Sequence, residues 1–248
     1  MKSSEMGNNK SHHILELIRA KEWHKLKRTL RIGYFFHRLS VAKCSVPCSD
    51  SCKSTHSALH FACQYDPPLD VVKMLCKTYP EAVFEQDCKE RYVLHIACRY
   101  GCSPPLISFL LKKNPDAAKK TDIENKTPFL TAFKSYVGKS NKEMNLAHQD
   151  LLQVAQDLYQ AYPAASINED CNKRTALDYA IDAEYPIELV LYVQSVIGRE
   201  NKHSKRSIVT DEDIGKSISI DSYGLKMEIS VEGGSICDCL KYLEYSVH

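Results

Sequence analysis

Two short stretches decide the fold: Ser57–Tyr65, SALHFACQY, and Tyr92–Tyr100, YVLHIACRY. Aligned, they share Leu-His, Ala-Cys and a closing Tyr, and they set His60 and His95 35 residues apart. TPFLTAFKS, opening at Thr127, follows Tyr92 by another 35, and TALDYAIDA, opening at Thr175, follows after 48. A second landmark locates the 13 additional residues: Pro80, Pro115 and Pro163, in YPEA, NPDA and YPAA, are themselves spaced 35 and 48. The insertion therefore lies after Thr127 and before Pro163, around SYVGKSNKEMNLAHQD, and is expected between the two helices of the third unit. Periods of this length mark arrays of one supersecondary unit, none of which has a core of its own.

Within each unit the local signals predict a helix pair. Ser57, Thr127 and Thr175 suit helix caps, Tyr92 opens the second unit, and Pro128 suits a first helical position that needs no donor. The second helix carries apolar residues at helical spacing: Val72, Leu75 and Cys76; Ile107, Leu110 and Leu111; Leu151, Ala155 and Leu158; Val190, Val193 and Ile197. Pro80, Pro115 and Pro163 end three of these helices, and Gly198 is expected to cap the fourth. Asp87, Asp122 and Asp170 each stand five residues before the next opening residue, where an Asx-type turn returns the chain.

The pattern resembles the ankyrin repeat family, whose units run near 33 residues and open on Thr-Pro-Leu-His-x-Ala. The residues carrying the likeness are Leu59-His60-Phe61-Ala62, Leu94-His95-Ile96-Ala97, Thr127-Pro128 with Ala132, and Thr175-Ala176-Leu177 with Tyr179-Ala180. Ser57 and Tyr92 replace Thr, Leu130 and Asp178 replace His, and the family's turn glycine is Glu90, Asn125 or Lys173 here. The resemblance implies an all-α solenoid of stacked antiparallel helix pairs over 57–198, in units 57–91, 92–126, 127–174, with an insertion near 136–149, and 175–198. It also implies that the family's His ties neighbouring loops together.

Upstream, SHHILELIRAKEWHKLKRTLRI reads as a further helix pair within 1–43, a capping repeat with Ile14, Leu15, Leu17 and Ile18, then Trp23, Leu26 and Leu30, started by Ser11. Residues 1–43 hold ten Lys/Arg against three Glu, whereas the whole chain carries only +2, so charge is concentrated at this end. Residues 44–56 read as a linker. From 199 to 248 the chain is expected to be a flexible linker and weakly ordered tail, with too little core for an independent catalytic domain.

Cys44, Cys48, Cys52, His56 and His60 recur every fourth residue, the donor types of a zinc site. Bringing them to one face needs a continuous helix, which Pro47 and the Ser-Asp-Ser run oppose, so a Cys/His metal site at 44–60 is the weaker alternative. Cys237 and Cys239 read as inert, and KHSKRS at 202–207 is a weak signal for a basophilic kinase. No Gly-rich phosphate loop or nucleophile elbow occurs, and nine glycines leave little from which to build one. No cofactor is expected. The start lacks a secretory leader, and the 11 cysteines are scattered, so an intracellular, cytoplasmic or nuclear protein with reduced thiols is expected.

The resemblance implies a non-enzymatic interaction module, a scaffold or adaptor, binding another protein through turn tips and first-helix faces as a monomer. Its partner-contacting positions fall on Cys88, Lys89 and Arg91 with Arg99 and Tyr100; on Ile123, Glu124 and Lys126 with Lys134 and Ser135; on Cys171, Asn172 and Arg174 with Asp182; and on Gln64 and Tyr65. Arg91, Arg99 and Tyr100 stand first among these as anchors. A nucleic-acid or anionic-membrane partner, held by Lys25, Lys27, Arg28 and Arg31, is the alternative from another class.

Overall fold

A computed structural model describes the backbone of residues 13–36, 46–47, 55–135 and 141–206, and the side-chain surroundings of 13–31, 57–134 and 148–202. Ser11, Cys44, Cys48, Cys52 and the expected tail from 207 to 248 lie outside the described residues. The fold is all-α. Helix α1 covers residues 13–19 and α2 Trp23–Phe36. The pairs that follow are α3 (Ala58–Cys63) with α4 (Leu69–Thr78), α5 (Val93–Arg99) with α6 (Pro104–Lys113), α7 (Pro128–Ser135) with α8 (Asn141–Ala161), and α9 (Ala176–Asp182) with α10 (Ile187–Arg206). First helices α3, α5, α7 and α9 stack in one row, and α2, α4, α6 and α8 stack in a second behind it.

Burial follows the period. Val72, Leu75, Ile107, Leu110, Leu151, Ala155, Leu158 and Val193 are buried, as are Ile14, Ile18, Leu26 and Leu30 of the first pair. One continuous apolar seam runs from Ile14 to Val196 through every pair, which is how units too small for their own core are stabilised. The second helices α4, α6 and α8 close the same way. Tyr79, Asn114 and Tyr162 are extended (φ −138°, −141° and −151°) because the following Pro clashes with a helical predecessor. Pro80, Pro115 and Pro163 then open a short 3-10 turn that buries Ala82, Ala117 and Ala165.

Two expectations are corrected. The added chain of the third unit, expected between the two helices, is helical from Asn141 on: α8 has 21 residues where α4 and α6 have ten, so the second helix is lengthened at its start, and 136–140 lie outside the described residues. Gly198 does not cap α10, which continues through it to Arg206. The apolar stripe of Val193, Val196 and Ile197 anchors the helix up to Gly198, Arg199, Glu200 and Lys202 favour its continuation, and one exposed glycine costs only about 1 kcal/mol.

Residues 46–47 and 55–56 are not helical either: Val46 pairs with His56, and Pro47 with Thr55, in a short antiparallel ladder. The single helix that a metal site over 44–60 would need is therefore not formed. Both ring nitrogens of His60 are engaged elsewhere, with Ser57 Oγ at 2.8 Å and the Arg91 carbonyl at 3.3 Å.

Candidate interaction surface

Between one helix pair and the next the chain makes a tight hairpin, built around an aspartate. Asp87 Oδ1 accepts the amides of Lys89 and Arg91 at 2.8 and 2.9 Å, Asp122 Oδ1 those of Glu124 and Lys126 at 2.9 Å, and Asp170 Oδ1 those of Asn172 and Arg174 at 2.8 and 3.1 Å. In each turn the residue three after the aspartate has a left-handed backbone: Glu90 and Asn125 at φ 58°, Lys173 at 60°. These are the three positions where the family's glycine was missing, and the turn forms without it. The hairpins are joined tip to tip, Ile123 N–H donating to the Lys89 carbonyl at 3.1 Å and Cys171 N–H to the Glu124 carbonyl at 2.9 Å. Asn125 Nδ2 adds a bond to the Glu169 carbonyl at 2.8 Å.

The histidines reach from the first helix to the chain at the end of their own unit, where the next hairpin is formed. His95 Nδ1 accepts the Tyr92 amide at 3.2 Å, so the neutral ring carries its proton on Nε2, which donates to the Lys120 carbonyl at 3.1 Å. Burial pushes His95 down to about 4. Asp178 caps its own helix, Oδ2 accepting the Thr175 amide and hydroxyl, both at 2.7 Å. Leu130 keeps only the packing role and is fully buried.

The anchoring side chains divide into those held by the fold and those presented. The Arg91 guanidinium binds Asp87 Oδ2 through Nε at 2.7 Å and Nη2 at 2.6 Å, and its side chain is 12% exposed. Burial opposes the Asp87 charge, but the hydrogen bonds from Arg91 hold the carboxyl below its usual range. Arg91 therefore braces its own turn. Lys126, 3% exposed, binds Glu124, and Lys134 reaches the same Glu124 oxygen at 3.3 Å. Lys126 holds Glu124 down to about 2, and Lys126 beside it lowers Lys134. Arg174 pairs with Asp182 and lies over the Tyr179 ring, 4.4 Å from its centre, while Tyr179 Oη donates to Asp170 at 2.6 Å.

Presented to solvent are Lys89, Arg99, Tyr100, Ile123, Cys171 and Asn172, with Ile123 55% and Tyr100 43% exposed. Cys88, Gln64 and Tyr65 are half-buried, Tyr65 edge-on to Phe61 at 5.1 Å; the side chain of Ser135 lies outside the described residues. Lys89 and Arg99 make no ion pair among the described residues. Sequence reasoning missed Tyr179, which links Asp170 to Arg174; its signal was a large aromatic one helical turn after Thr175, at a place where the first two units have Ile96 and Phe61.

No group of three or more His, Cys, Asp or Glu arranged to hold a metal occurs among the described residues, and no described helix is long and apolar enough to cross a membrane. An ankyrin repeat family model matches residues 89–119, which run from the first hairpin tip through α5 and α6 to the Pro115 turn. No curated protein matches the chain.

Proposed function

From the premise that the chain carries an ankyrin repeat, with units of the same build stacked on either side, we propose that it is a non-enzymatic protein–protein interaction module. It acts as a monomeric scaffold or adaptor inside the cell, and its partner sits on the hairpin tips and the ends of the first helices. The observation that carries this reading is the contrast on that surface. The backbone is closed by the Asp-centred turns and tip-to-tip bonds, while Lys89, Arg99, Tyr100 and Ile123 stand exposed on it. A rigid frame with exposed Arg and Tyr loses little ordering entropy on binding, and these residue types are typical anchors.

The alternative, an anionic surface held by the first helix pair, has less behind it. Lys25 pairs with Glu22 at 2.8 Å and Lys27 with Asp70 at 2.7 Å, so of these four cations Arg28 and Arg31 are the two that make no ion pair among the described residues. The test is affinity capture with the full chain, with an Arg99→Ala/Tyr100→Ala variant, and with Phe84→Ala as an exposed control elsewhere. A protein retained by the parent and by Phe84→Ala, and released by the double variant, supports the module. If every captured protein is indifferent to the double variant, the surface is wrong.

A further inference from the structure

The burial that defines the stack stops short at its fourth pair. Cys63, Cys98 and Phe133 occupy one position on the first helices of the first three units, and Val72, Ile107 and Ala155 one position on the second helices; all six are buried. In the fourth unit the same two positions are Ile181, 57% exposed, and Val190, only half-buried. The difference is the pair that packs on each of the first three units and has no counterpart on the fourth among the described residues. Ile187 and Leu191 of α10, 56% and 53% exposed, add to the uncovered region. Helical spacing sets both opposite Glu200, which accepts from Tyr159 of α8 at 2.9 Å, so they lie on the side turned away from the third unit. An end unit with nothing stacked on it needs a polar outer face, yet this one is apolar.

We propose that residues 236–247 of the same chain, which lie outside the described residues, cover this face as a helix and close the stack. The seam that joins one pair to the next continues onto the face through Val190 and Ile197, so what covers it must bring an apolar stripe of its own. Ile236, Leu240, Leu243 and Val247 supply one: they recur at steps of 4, 3 and 4, on one side of a helix, with Asp238, Lys241 and Glu244 off that side. The lengths agree, since Ile187 to Gly198 and Ile236 to Val247 each cover 12 residues, about 17 Å of helix. Reach is ample. From Arg206, where α10 ends, 29 residues lead to Ile236 and can extend to about 90 Å, against about 30 Å back along α10 to Ile187. Tethering also presents the segment at an effective concentration on the order of a millimolar, an advantage that a second copy or a separate protein lacks. This closure is independent of the partner surface at the hairpin tips.

The test is amide hydrogen exchange of the full chain, read by mass spectrometry. A free helix of this length is marginal in water, so protection within 236–247 requires that the segment be covered. In the parent, exchange there is expected to be about tenfold or more slower than in a free peptide of the same sequence. The protection should be lost in Ile181→Ser/Leu191→Ser, which alters the face, and in Leu240→Ser/Leu243→Ser, which alters the stripe and should also speed exchange in α10. Tyr245→Ser, on the opposite side of that helix, should keep it. Ile181 and Leu191 are exposed, and a helical circular dichroism spectrum close to the parent's shows that each variant keeps the stack. Free-peptide exchange within 236–247 in the parent overturns the proposal and leaves the face to a separate protein. Protection that survives Ile181→Ser/Leu191→Ser overturns it as well, since the segment is then covered elsewhere. Protection that fades on dilution, with a dimer seen in sedimentation, assigns the face to a second copy and overturns it too.

Discussion

His95 Nε2 lies 3.1 Å from the Lys120 carbonyl oxygen, 25 residues along the chain, while Nδ1 of the same ring accepts the Tyr92 amide. One fully buried ring thus fixes the start of its own helix and holds the strand-like entry to the next hairpin.

That relationship makes stability depend on pH. Burial places His95 at about 4 when folded, against about 6.5 when unfolded, so between these values the unfolded chain binds the additional proton. The contribution is present in full above pH about 6.5 and is lost as pH falls toward 4, up to about 3 kcal/mol. Denaturant midpoints measured across that window should fall with acid, and His95→Leu should flatten the slope while lowering stability at neutral pH. A slope unchanged by the substitution would refute the assignment. Asp87 and Asp170, both held below their usual carboxyl range, act in the same direction at lower pH, so acid loss should continue below the histidine window.

Glu90 and Lys173 hold left-handed backbones that side chains resist by roughly 1 kcal/mol or more. Glu90→Gly and Lys173→Gly should each raise stability, by about 0.5–1 kcal/mol after the entropy glycine adds to the unfolded chain. Asn125→Gly should gain nothing, since asparagine tolerates this conformation and its Nδ2 bond to the Glu169 carbonyl is lost. Chemical denaturation of the three variants checks the ranking.

Asp170 accepts two turn amides and the Tyr179 hydroxyl, and is 2% exposed. Asp170→Ala leaves three donors without their acceptor and should cost about 2–4 kcal/mol. Tyr179→Phe removes one of the three and should cost about 1 kcal/mol. A smaller loss for the aspartate than for the tyrosine would contradict the turn-centred account.

Cys63, Cys98 and Cys102 are fully buried, and Cys171 is exposed at a hairpin tip. A hydrogen bond from Cys102 and burial raise the Cys63 thiol, burial raises Cys98, and burial pushes Cys76 up to about 11. Peptide-resolved labelling with a thiol reagent at mildly alkaline pH should therefore modify Cys171 in the folded protein, and Cys63, Cys76 and Cys98 only after unfolding.

What the sequence conveyed, and what it withheld, divide along a physical line. Buried positions such as Leu75, Leu110 and Leu158 must recur at the unit's period, because each unit is stabilised by the same seam, so period alone revealed the stack. The turn aspartates were visible for the same reason. The conformation of the insertion was not. Position located it, but Glu143, Met144, Leu146 and Ala147 favour helix and run directly into Leu151, so the added chain prolongs α8.

Pairing on the interaction surface was also hidden. The four-residue spacing of Asp87 and Arg91 was on the page, yet only the turn geometry folds the guanidinium back onto its own aspartate. Lys126, Glu124 and Lys134 become one charge cluster through three dimensions, and nothing in their spacing announces that two cations share one acid.

The imidazole of the first two units is replaced by Leu130 in the third and by a carboxylate at residue 178 in the fourth. A ring can take a proton's bond on one nitrogen and give one from the other, clasping two neighbours at once; an acid group that accepts from Thr175 has no hydrogen left to offer onward. Leu130 already shows that a unit can pack without the link, so the carboxylate marks a unit that secures its own helix start and leaves the onward clasp to packing alone.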